Sequence, residues 1–342
     1  MGIKVDIMSS TTVIYLAISS DYKSLYKADV YKTLVKPKGA IEHFRYRKQW
    51  LDESIALENI DNIIGNDVVL IYKHTKANPN IYIPIRKATI QSCFYDIETE
   101  LYHFYFLLGD FCDFDVKFRY KDQVFFYRSS DLNINIVTWK YKIEQVKEYF
   151  PEYFFYYIDG IYDSNNRRLI LKQDRFNHSY FYEFFHGSNH TLKLRVANPK
   201  SSKYTLSIKS SSSDVNIILN ENYHVSNETY DILNIPILSK SLDIYKEISF
   251  ISFFIFDENM IALKEYENYI HIRKKMKISN AFYFALCTTI LIAFTWLLKD
   301  RTIELHNFLS FNWVGSIDFG TFIYIVGIFI TSTLLFYRFN KK

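Results

Sequence analysis

The sequence predicts a mainly β soluble region, built as two β units of which the second is sandwich-like, followed by a two-helix α transmembrane hairpin. Three observations carry this. Residues 12–128 alternate apolar and polar side chains in short runs rich in Val, Ile, Tyr and Phe, the period of half-buried strands. Beyond the polar turn Ser164-Asn165-Asn166, apolar segments recur at intervals of about 10 to 15 residues, a spacing that suits a sandwich. Finally, Ile278 to Leu298 and Phe319 to Tyr337 contain no charge, and at about 21 and about 19 residues each is long enough to cross a bilayer as a helix.

In the first region the expected strands are Val13 to Ile18, Val30 to Val35, Val68 to Lys73, Ile81 to Arg86, Thr89 to Phe94 and Leu101 to Leu108. Turn chemistry separates them at Lys36-Pro37-Lys38-Gly39, Asn78-Pro79-Asn80 and Gly109-Asp110. One helix is expected from Gln49 to Ile64, where Leu51, Ile55, Leu57 and Ile60 make an imperfect stripe that stops at Gly65. A short amphipathic stretch, Tyr141 to Phe150, closes at Pro151 and marks the passage to the second region.

There the expected strands are Leu169 to Lys172, Thr191 to Val196, Tyr204 to Ser210, Val215 to Asn220, Tyr230 to Ile237 and Ile248 to Phe256. Glu265 to Lys277 reads as a helix running into the first span. The resulting division is 1–150, an N-terminal β-rich sensor domain; 151–264, a second β-rich domain; and 265–342, the juxtamembrane helix and hairpin. Arg273, Lys274, Lys275 and Lys277 before the first span and Arg338, Lys341 and Lys342 after the second put both termini on the cytoplasmic side of a cell inner membrane. No secretory signal opens the chain, which agrees with that orientation. Three scattered cysteines suit a reducing compartment.

A net charge of +4 over 342 residues excludes a general polycation, so any anion site must be local. Mean hydropathy of −0.09 averages a polar body with an apolar tail. Phosphate-loop, zinc-protease, paired-cysteine and nucleophile-elbow motifs are missing, which argues against an enzyme, and no cofactor is implied. Asp110, Asp113 and Asp115 lie close in sequence but lack the glycine hinge and closing Glu of a calcium loop. His186 and His190 flank Gly187-Ser188-Asn189, a turn rather than a metal-binding helix face.

The densest chemistry runs through Lys36, Lys38, Arg45, Tyr46, Arg47, Lys48 and Trp50, with Arg86 further along. On an extended segment Arg45 and Arg47 share one face and Phe44 and Tyr46 the other. These residues suit an anionic ligand or nucleic acid, the cations holding phosphates and the rings stacking on bases; a solvated basic strand is the alternative. In the first span Ala281, Ala285, Thr289 and Ala293 recur every fourth residue as a helix-packing ridge. Thr288, Thr295, Thr331 and Ser332 are candidates to line a pore, or to bond their own helix carbonyls.

This order of parts, a β-rich soluble region, the basic run Arg273 to Lys277 and the apolar segments from Ile278 to Tyr337, resembles in layout the bacterial anti-phage membrane effectors, the Hailong-type DNA-gated channel effector among them. The resemblance implies a homo-oligomeric, ligand-gated ion channel in the lipid bilayer. Its soluble part would sense a nucleotide or single-stranded DNA made by a partner enzyme. The alternative expectation is a membrane-tethered binding or scaffold protein without channel activity.

Overall fold

The computed structural model describes residues 14–275 except 54, 56, 115–122, 130–131, 151–153, 175–177, 186, 199–204, 213–214, 219–222, 225–229, 240–247, 258 and 260; beyond 275 it describes Leu286 and Ile290. The first half comprises β1 (Ile14–Ser20), α1 (Ser24–Val35), β2 (Ile41–Arg47), β3 (Asp67–His74), β4 (Ile81–Asp96), β5 (Leu101–Phe114), β6 (Phe126–Ser129), β7 (Ile134–Ile136) and α2 (Trp139–Val146). Its strands form one seven-stranded sheet in the order β2-β5-β4-β3-β1-β6, with β7 also paired to β5. Only the β1–β3 pair is parallel among these strands.

Both faces of this sheet are covered, which explains why β1 is buried along its whole length. Tyr15 and Ala17 face the main core, while Ile14, Leu16 and Ile18 join Val69, Ile71, Cys112 and Phe114 in a smaller cluster on the other side. Period-two alternation alone would have left one face wet. In β5 the alternation persists, with Tyr102, Phe104, Phe106 and Leu108 buried and His103, Tyr105 and Leu107 half-buried between them.

The second half comprises β8 (Phe155–Asp163), β9 (Lys172–Asp174), β10 (Ser179–Phe185), β11 (Asn189–Ala197), β12 (Thr205–Ser210), β13 (Val215–Ile217), β14 (Tyr223–His224), β15 (Asp231–Ser239), β16 (Ile248–Phe256) and β17 (Asn268–Lys275). They make a six-stranded sheet, β14-β12-β16-β17-β10-β9, and a four-stranded sheet, β13-β15-β11-β8. Tyr156 of β8 stacks on Phe253 of β16 at 5.5 Å, so the sheets meet through aromatic side chains. Buried residues of both halves belong to one continuous core.

Three expectations for the first half are corrected. Val30 to Val35 is not a strand but the end of α1: a short apolar run fits a buried helix as well as a strand, and Ala28, Val30, Tyr31, Leu34 and Val35 are all buried. The helix stops because Lys36 precedes Pro37 and is extended. Gln49 to Ile64 is not a continuous helix but two 3-10 stretches, Lys48–Trp50 and Leu57–Ile63, since Leu51 bridges to Phe126 and the stripe is broken there. Gly65 does end it, at a φ of +87°. Ile81 to Arg86 and Thr89 to Phe94 are one strand, β4, bulged against β5 between Arg86 and Ala88 and between Ile90 and Ser92.

The largest correction concerns the tail. Among the described residues no helix is long and apolar enough to cross a membrane, and the α-helices there are α1 and α2 in a mainly β chain. The two-helix transmembrane hairpin, the multi-pass inner-membrane location with cytoplasmic termini, and the membrane-channel reading are therefore unsupported. Glu265 to Lys277 is not a helical rod leading into a span: β17 pairs with β16 and β10 instead. Its burial alternates, Asn268, Ile270, Ile272 and Lys274 in and Tyr269, His271, Arg273 and Lys275 further out, and that period of two defeats a helix. An uncharged run supplies length and apolarity but not conformation. The runs 278–298 and 319–337 lie outside the described residues apart from Leu286 and Ile290, which are helical. Ala281, Ala285, Thr288, Thr289, Ala293, Thr295, Thr331 and Ser332 lie outside them entirely.

Candidate functional site

The end of β1, the first turns of α1 and the edge strand β2 enclose a cavity of about 380 Å³, near the low end of the roughly 300–1,000 Å³ range of small-ligand sites. β1 contributes Ile18, Ser19 and Ser20, α1 contributes Tyr26 and Asp29, and β2 contributes Phe44, Arg45, Tyr46 and Arg47; Tyr22, Lys23, Trp50, Thr75 and Phe125 complete it. The turn carrying Tyr22 and Lys23 is pinned by Asp21. That carboxylate accepts from the Thr75 amide at 2.8 Å and hydroxyl at 2.7 Å, from His74 Nδ1 at 2.6 Å and from the Tyr72 hydroxyl at 3.2 Å. Burial opposes its ionisation, but the Thr75 bonds and the His74 charge outweigh burial and hold it below the usual carboxylate range.

One wall is aromatic. Trp50 meets Tyr26 edge-on at 6.3 Å and Phe125 at 5.6 Å, and the Arg47 guanidinium lies 5.8 Å from the Trp50 ring centre. Opposite in character is the Arg45–Asp29 pair, in which Nη2 donates to both carboxylate oxygens at 3.2 Å. Asp29 is buried, whereas Arg45 keeps about a fifth of its side chain exposed. The Nε of Arg45 and the hydroxyl of Tyr46 are buried without hydrogen-bond partners among the described residues. Such groups are costly unless something satisfies them, and both belong to cavity-lining residues.

Burial, and then the charge of Glu42, push the Asp29 carboxyl up to about 7 against the opposing pull of Arg45 and Lys32. Burial, and then Asp29, likewise raise the Tyr46 phenol far above its ordinary value. Because the folded chain holds the Asp29 proton up to about pH 7 while the unfolded chain releases it near 3.8, stability should fall as pH rises through that window. The fall is at most about 4 kcal/mol. Asp29→Asn should remove it, and urea unfolding at pH 5, 6.5 and 8 measures the difference. Equal slopes in parent and variant would mean that Asp29 ionises like an exposed carboxylate.

Of the sequence-predicted residues, Arg45, Tyr46, Arg47 and Trp50 come together in this cavity. The others do not. Lys36 donates to the Ile41 carbonyl at 2.9 Å and pairs with Glu42 at 2.9 Å. Lys38 is paired with Asp110 at 2.6 Å, and Lys48 is exposed on its 3-10 turn. Arg86 is wholly buried and donates to the carbonyls of Gly109, Thr33 and Lys36. Sequence reasoning missed Asp29 and Tyr26, and Lys23 just before them, because a strand expected over Val30 to Val35 hides the helix that carries the first two and begins after the third.

Asp113 is engaged by Tyr141 and Gln145, Asp115 and His186 lie outside the described residues, and His190 stacks on Phe184 at 4.0 Å. No metal-ligand cluster of three His, Cys, Asp or Glu occurs among the described residues.

No protein-family model and no curated protein sequence matches the chain. Among solved structures, a FixG-related protein from Vibrio parahaemolyticus is similar over 35% of this chain and 100% of its own, at 18% identity and a TM-score of 0.22.

Proposed function

We propose that the first half of the chain is a binding module for a small anionic ligand bearing a planar ring, a nucleotide or nucleotide-derived molecule, and that it senses rather than transforms that ligand. The observation behind this reading is the convergence of Arg45 and Arg47 with the Tyr26, Trp50 and Phe125 rings on one cavity of about 380 Å³. Guanidinium groups suit phosphate oxygens, and an aromatic wall accepts the face of any base. Guanidinium groups and ring faces hold an oxyanion and a planar ring without changing either, and that is the chemistry of binding.

Calorimetric titration with mononucleotides, cyclic nucleotides and short single-stranded DNA tests it. Arg45→Ala with Arg47→Ala should weaken the tightest of these at least about 100-fold, since each charge-assisted bond contributes about 1.5–3 kcal/mol. Affinity should fall as salt rises, and the double variant should flatten that dependence. If none of these ligands binds, or if the double variant binds as the parent does, Arg45 and Asp29 form a structural ion pair and the module recognises something else.

A further inference from the structure

We infer that a phosphate-bearing ligand entering the cavity draws Arg45 away from Asp29 and that Asp29 takes up a proton in exchange, so that binding and protonation are coupled. This rests on the ligand reading above. Its basis is the way Arg45 is held. Only Nη2 reaches Asp29, end-on and at 3.2 Å to each oxygen, while Nε has no partner among the described residues. A guanidinium binds an oxyanion best through two parallel N–H groups, and the pair formed by Nε and Nη2 is only half used. Turning it onto a phosphate satisfies Nε and removes the one cation hydrogen-bonded to Asp29 among the described residues.

What remains around Asp29 decides where the proton goes. α1 brings Lys32 and β2 brings Glu42 and Tyr46 to Asp29, while His43 of β2, His103 and Tyr105 of β5 and Lys36 after α1 lie around Arg45 and His43. Glu42 is already paired with Lys36 at 2.9 Å. Burial is the first cause that holds the His43 imidazole down to about 3 and that lowers His103, and it persists when Arg45 turns away, so neither ring takes the proton. Asp29 is buried beside Glu42 and stands at about 7 even with Arg45 in place. Without Arg45 it rises further, because the largest favourable charge is gone. Below pH 6 the carboxyl is protonated whether or not ligand is present. Above pH 7 it is ionised in the empty site and protonated in the filled one, so affinity falls as pH rises.

The probes are phosphodiesters, 3′,5′-cyclic AMP, 3′,5′-cyclic UMP and the dinucleotide TpT, whose phosphates do not titrate between pH 5.5 and 8. Titration calorimetry at pH 8 in Tris and in Hepes counts protons from the difference in apparent heat. We expect uptake of more than half a proton per ligand at pH 8, close to none at pH 5.5, and affinity falling several-fold, up to tenfold, from pH 7 to 8. Asp29→Asn should abolish the uptake and level the pH dependence. Binding by the parent chain with no proton uptake at pH 8 overturns this inference and leaves the ligand reading standing. Binding by none of the three overturns both.

Discussion

Arg86→Ala should cost about 3–5 kcal/mol and leave little of the cooperative unfolding transition, given total stabilities of roughly 5–15 kcal/mol. The side chain is fully buried on β4 and joins three elements. Nε donates to the Gly109 carbonyl of β5 at 2.8 Å, and Nη1 donates to the Thr33 and Lys36 carbonyls at 3.1 and 2.7 Å. The last two belong to the final turn and C-cap of α1, where carbonyls lack helical partners and a cation is favoured. The guanidinium also lies 4.5 Å from the Phe111 ring centre and 5.8 Å from that of Tyr157, reaching across to β8. Truncation would strand three carbonyls and open a hole beneath two rings. Arg86→Lys should recover less than half, since one ammonium cannot span the same acceptors. Arg195→Ala, removing an exposed pair with Asp159, should cost under about 1 kcal/mol and serves as control. Urea denaturation of the three variants decides the matter; equal effects of Arg86→Ala and Arg195→Ala would show that water replaces the buried guanidinium.

Tyr31→Ala should have a comparable effect, about 3–5 kcal/mol, for a different reason. This α1 side chain is fully buried where the two halves of the chain meet. Its ring packs edge-on against Tyr266 at 5.0 Å and Tyr156 at 6.3 Å and stacks on Phe155 at 5.9 Å, and its hydroxyl donates to the Phe154 carbonyl at 2.7 Å. Tyr31→Phe keeps the ring and strands that carbonyl, so it should cost only about 1–2 kcal/mol. Thermal melts followed by near-ultraviolet dichroism separate the packing from the hydrogen bond. If Tyr31→Phe is as damaging as Tyr31→Ala, the hydroxyl and not the ring couples the halves. If neither matters, α1 does not hold them together.

Strands were legible wherever burial alternates along the chain. Ile248 to Phe256 is a strand over the expected range, and Thr191 to Val196 lies inside β11. Reading failed where a neighbour overrides the local pattern. The apolar end of α1 is surrounded, so no polar face betrays its helical period. In β17 the run Arg273-Lys274-Lys275 suggests a charged helix end, yet Lys274 is buried in a strand between two others. The candidate site was half legible: β2's basic and aromatic alternation was visible, but its buried carboxylate arrives from a helix.

The sequence by itself determined that the chain from Ile14 to Phe256 would be rich in strands, and that cations and rings would concentrate around β2, because period-two alternation and local composition are properties of neighbouring residues. Only the tertiary structure decided what each cation does. Arg45, Lys38 and Arg86 read alike in sequence, each a positive charge beside or within an expected strand. Folding sets Arg45 beside a buried carboxylate at the wall of a cavity, Lys38 against an exposed one, and Arg86 among carbonyls with no access to solvent. A charge takes its role from its partner and from the dielectric around it, and both come from segments distant in the chain.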